Sequence, residues 1–132
     1  MDDSLYNELM TSCDERIACI KQDIKATHKK ILFCLLADIK EPMEGCEVCL
    51  NWTEATLKIV QIEKMMYEAV HAQNKPLLPL LLKKFDECLV ETCEISEAMV
   101  RVGITKEIRH LEYTKKTIPQ HEFMTLLCEL HS

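Results

Sequence analysis

The chain has 132 residues, of which 48% are hydrophobic, 29% charged and only 5% aromatic, with two glycines and four prolines. So many apolar residues and so few breakers exclude collagen-like, low-complexity and largely disordered chains, and the length predicts one domain with a real core. Sixteen Lys and Arg against 22 Asp and Glu leave a net charge of −6, so no global attraction to nucleic-acid phosphates is expected.

The first predicted element is one long helix over residues 4–40. Leu5, Leu9, Cys13, Ile17, Ile20, Ile24, His28, Ile31, Leu35 and Ile39 recur every three or four residues, the helical period. Ser4 is placed to cap its start, and Pro42 and Gly45 mark its end. On this stripe His28 reads as a core or boundary histidine. A second helix is predicted over residues 44–73. Val48, Trp52, Ala55, Ile59, Ile62, Met66 and Ala69 alternate in steps of four and three, a heptad seam that suits antiparallel packing on the first helix.

Asn74-Lys75-Pro76 reads as a loop, followed by a third helix from Leu77 or Pro79 to about Cys93. Its face is Leu78, Leu81, Leu82, Phe85, Cys88 and Leu89. Ser96 is a good cap for a fourth helix carrying Met99, Val100, Val102, Ile104, Ile108 and Leu111. Gly103 either breaks that helix or sits within it at a cost of roughly 1 kcal/mol. Thr117 and Gln120 form a capping box before a short last helix with Phe123, Leu126, Leu127 and Leu130. No segment alternates with period two. The fold class expected is all-α: a single domain over residues 1–132, a bundle of about five helices. It begins with a long αα-hairpin over 1–73, and three shorter helices over 77–131 pack on it.

Few residues suggest chemistry. Cys46 and Cys49 form a compact pair, but zinc needs four ligands and a second such pair is missing. They are kept as the metal or thiol-redox alternative. The other cysteines lie in helical patterns beside apolar residues and read as small core hydrophobes. Glu63, Glu68, Asp86 and Glu87 read as surface partners of lysines rather than an acid/base couple. No phosphate loop, dinucleotide fingerprint, calcium loop or metalloprotease helix is found. No enzyme activity and no cofactor are expected.

Targeting signals are absent from the same reading. No apolar run reaches the roughly 18–20 residues of a membrane span. The acidic MDDSLYNELM start does not resemble a secretory signal. An intracellular protein, cytoplasmic or nuclear, with reduced thiols is expected.

Two resemblances add to this. From Phe85 onward, Leu89, Ile95-Ser96, Met99, Gly103-Ile104, Ile108, Leu111, Lys115-Lys116, Ile118 and Leu126-Leu127 fall on a known pattern. That stretch resembles the helical domain shared by the N-terminus of transcription elongation factor S and the integrase-binding domain of chromatin-tethering growth-factor-like proteins. The resemblance implies capture of short disordered motifs from transcription and chromatin partners. The matching surface here is Tyr113, Lys115, Lys116 and Ile118, suited to an acidic-hydrophobic motif. Leu50-Asn51-Trp52 resembles part of the Asn-Trp-Gly-Arg box of Bcl-type apoptosis regulators, with Thr53-Glu54 in place of Gly-Arg. That resemblance implies a groove for an amphipathic helix, lined by Trp52, Ile59 and Met66, as in a viral host-factor antagonist. The function expected is therefore a protein–protein interaction module for a partner protein or peptide motif, with no nucleic-acid or membrane partner. A homodimer through the long hairpin is a further expectation.

Overall fold

A computed structural model describes residues 2–39, 41–101 and 122–130, with side chains described except at 41–45 and 98–101. Among these residues the chain is all-helical, with no strand. Four helices are seen: α1 (Asp3–Leu36), α2 (Glu41–His71), α3 (Leu77–Arg101) and α4 (residues 122–130).

Helix α1 runs 34 residues without a break, about 51 Å at 1.5 Å per residue. Its cap is Asp2, not Ser4: the Asp2 carboxylate accepts the Ser4 N–H at 3.2 Å. Aspartate caps as well as serine does, and its charge also favours the positive end of the helix dipole. The other end closes earlier than residue 40. Ile39 N–H donates to Cys34 C=O at 2.9 Å and Asp38 N–H to Leu35 C=O at 3.4 Å. Asp38 supplies the left-handed turn with φ 56°. This pair of bonds is a Schellman closure.

Helix α2 starts at Glu41, so Pro42 and Gly45 lie in its first turns rather than marking a junction. Proline is tolerated there because the first N–H groups of a helix have no intrahelical partner. Its C-terminus repeats the closure of α1. Asn74 N–H reaches Ala69 C=O at 2.8 Å, and Gln73 adopts φ 58°. Helix α3 is continuous through Ser96, which is buried in the helix interior and does not start a new helix. No glycine or proline lies between Cys93 and Arg101 to interrupt it. Gly103, and most of the expected fourth helix, fall outside the described residues.

Helix α2 occupies the centre. Both α1 and α3 pack on it, and their backbones do not approach each other. The heptad seam does what its period requires: Ala55, Ile59, Ile62, Met66 and Ala69 are buried. Phe85, Met66, Leu78 and Met124 are the largest fully buried side chains, each contributing roughly 1.5–3 kcal/mol by burial. Helix α4 seats Met124, Leu127 and Cys128 in this core. Its Phe123 meets Tyr67 edge to face at 6.5 Å. From α1, the core cluster takes Cys13 and, at its margin, Leu9, Met10, Ile17 and Ile20. Nothing from α1 beyond Ile20 belongs to it.

Candidate functional site

The end of α1 departs from the pattern that the helical stripe predicts. Leu35 and Ile39 belong to that stripe, yet both are exposed. Leu32, Phe33 and Leu36 are exposed beside them, and His28 is exposed rather than in the core or at its boundary. The physical reason is the absence of a neighbour: the core cluster stops at Ile20, so this length of α1 rests on α2 alone. Side chains on a helix surface three and four residues apart are neighbours. Leu32, Phe33, Leu35 and Leu36 therefore form one continuous apolar strip, and Ile39, turned back beyond the helix end, continues it beside Cys34.

A shallow groove of about 410 Å³ opens beside this strip, lined by Lys29, Lys30, Phe33, Cys34, Ile39 and Cys46. Phe33 is thus shared between strip and groove, and Ile39 lines the groove beyond the helix end. Lys29 and Lys30 are exposed on its rim. The run Ile31–Ala37 between Lys30 and Asp38 carries no charge. An uncharged run wider than one helical stripe was the sequence signal for this patch, and periodicity alone does not weigh it.

The residues singled out from sequence are distributed differently. Tyr113, Lys115, Lys116 and Ile118 lie outside the described residues. Ile59 and Met66 are packed in the core, and Trp52 is half-buried. Cys46 and Cys49 are half-buried on α2, and neither is in a disulfide. Among the described residues no third His, Cys, Asp or Glu joins them in a metal-holding group. None of the eight cysteines is in a disulfide: Cys13, Cys34, Cys88 and Cys128 are buried, whereas Cys19 is exposed. No described helix is long and apolar enough to cross a membrane.

A buried polar cluster also joins α1 to α2. Glu63 is buried, not a surface partner of lysine as its sequence context suggests. Arg16 grips its carboxylate with both guanidinium nitrogens, Nη1 to Oε1 at 3.3 Å and Nη2 to Oε2. The Cys13 thiol donates to the same carboxylate at 3.4 Å. Burial, reinforced by the Glu63 charge, pushes the Cys13 thiol up to about 12 and raises the Tyr67 phenol. A thiol held protonated in this way is a poor nucleophile. The cluster is structural: Lys64–Asp14 at 2.7 Å and the Tyr6–His71 ring stack at 3.8 Å extend the same α1–α2 seam.

No protein-family model, curated protein or solved structure matches the chain.

Proposed function

We propose that this chain is a non-enzymatic protein–protein interaction module, acting inside the cell, that binds a partner protein or short motif through the exposed end of α1. The observation that carries this reading is the Leu32–Ile39 strip. Large apolar side chains grouped at one place on a small domain mark contact surfaces, whereas scattered ones need no explanation. The rim of Lys29 and Lys30 around an apolar floor fits a hydrophobic centre with a polar border. Eight cysteines outside any disulfide, four of them buried, are in keeping with a reducing compartment. A helix-binding groove built on Trp52, Ile59 and Met66 has less support, because Ile59 and Met66 already face the chain's own core.

The test is capture from cell extract with immobilised protein, comparing wild type with Leu36→Lys. Leu36 is the most exposed of the apolar side chains, so the substitution leaves the core untouched. Loss of specific partners in the variant is expected. An identical captured set from both proteins would overturn the reading.

A further inference from the structure

Resting on the reading of this strip as a binding surface, we propose that its occupant is a second copy of the chain. The two copies pack strip on strip about a two-fold axis, with their α1 ends antiparallel.

Area is the first support. Leu32 is 56% exposed, Phe33 65%, Leu35 59%, Leu36 80% and Ile39 40%. At roughly 100 Å² each these side chains present about 500 Å² of apolar surface per copy. Complete cover of two such faces would bury at most about 1,000 Å², the lower end of the specific-interface range. A two-fold contact needs one self-complementary patch on each subunit, and cyclic dimers are the commonest oligomers.

Charge is the second. The run Ile31–Ala37 contains no ionisable group other than the buried Cys34 thiol, so covering it desolvates no ion. The flanks have opposite signs, with Lys29 and Lys30 before the run and exposed Asp38 after it. In an antiparallel pairing centred near Leu35, Lys30 of one copy stands about 3 Å along the axis from Asp38 of the other. A lysine side chain spans that offset. A parallel pairing sets lysine against lysine instead. The two-fold repeats each favourable pair, which fixes orientation more than it adds affinity.

Preorganisation is the third. The Schellman closure at Asp38 satisfies the last carbonyls of α1 and fixes Ile39 beside Cys34. The strip therefore needs little ordering before it binds.

Sedimentation velocity of the full chain over roughly 1 μM to 1 mM tests this, a range chosen because interfaces at the small end of the size range are weak and transient. The mass is expected to rise from one chain to two and stop there. Leu36→Lys, with unchanged far-UV circular dichroism, is expected to stay monomeric throughout. Lys29→Glu with Lys30→Glu is expected to weaken the dimer about tenfold, and adding Asp38→Lys is expected to restore it. A monomer at every concentration, growth beyond two chains, a dimer indifferent to Leu36→Lys, or failure of the charge reversal to rescue would each overturn the proposal. A monomer whose Leu36→Lys variant still loses its captured partners would leave the interaction reading standing. A monomer whose variant captures the same set would end both.

Discussion

The Cys13 thiol and the Glu63 carboxylate, 50 residues apart in the chain, meet at 3.4 Å in the interior between α1 and α2. Glu63 is buried and Arg16 supplies the countercharge, so the seam depends on a guanidinium reaching inward from a partly exposed position. Removing one partner of a buried pair leaves the other desolvated and uncompensated. Arg16→Ala is expected to cost about 2–3 kcal/mol in urea unfolding, reduced from the usual ~3–5 kcal/mol because the Arg16 side chain is 41% exposed. Lys64→Ala, which breaks the more exposed pair with Asp14, is expected to cost much less. Equal losses from the two variants would refute this account of the seam.

Stability is expected to fall in alkali before the helices lose their lysine charges. The unfolded Cys13 thiol titrates near its ordinary 9.0, and the folded one at about 12. Between those values the unfolded chain binds fewer protons, so unfolding becomes easier as pH rises. The stabilisation is fully present below pH 9 and disappears through about 12, with a slope of up to about 1.4 kcal/mol per pH unit for one such group. Tyr67, raised by burial and by Glu63, acts in the same direction. Urea midpoints measured at intervals above pH 8 check this, and Cys13→Ala should flatten the first part of the decline.

Thiol labelling should divide the cysteines by their surroundings. Cys19 is exposed and should react first with a maleimide at neutral pH. Cys13, Cys88 and Cys128 are buried with raised thiol pKa values, so modification there requires the helices to separate. Peptide mapping after timed labelling gives the order. Early modification of Cys13 would contradict the packing of α1 on α2.

Both described helix closures place a residue other than glycine at positive φ, Asp38 at 56° and Gln73 at 58°. Glycine removes the clash between Cβ and the backbone in that conformation. Gln73→Gly is therefore expected to stabilise the protein by about 0.5–1 kcal/mol, a rise of about 2–4 °C in Tm. Asp38→Gly should gain less, since aspartate tolerates the left-handed region better. A calorimetric scan showing Gln73→Gly to be destabilising would refute the cap assignment.

Much of the interior was readable from periodicity. The α2 seam from Ala55 to Ala69 and the α3 face of Leu78, Leu81, Phe85, Cys88 and Leu89 are buried as their spacing requires. In both cases a partner lies against the apolar face. The same reading fails at Leu35 and Ile39, because periodicity identifies the apolar side of a helix and not whether anything covers it. Glu63 was misread for a related reason: its burial depends on Arg16, a residue that only the tertiary fold brings near. Ser96 failed as a cap because a good capping residue does not stop a helix whose next turn has no breaker. The surface patch needed a different signal, the uncharged width of Ile31–Ala37.

Helix α1 meets the core only as far as Ile20, and sixteen further residues extend it to Leu36. Over that length one side of the helix is covered: Cys34 is buried and Ile24 and Ile31 are half-buried, with α2 as the packed neighbour. Local opening of this half is therefore expected to cost less than opening of the half that reaches the core. A partner seated on the apolar strip would add a second side to that hold, read as slower hydrogen exchange between residues 21 and 36.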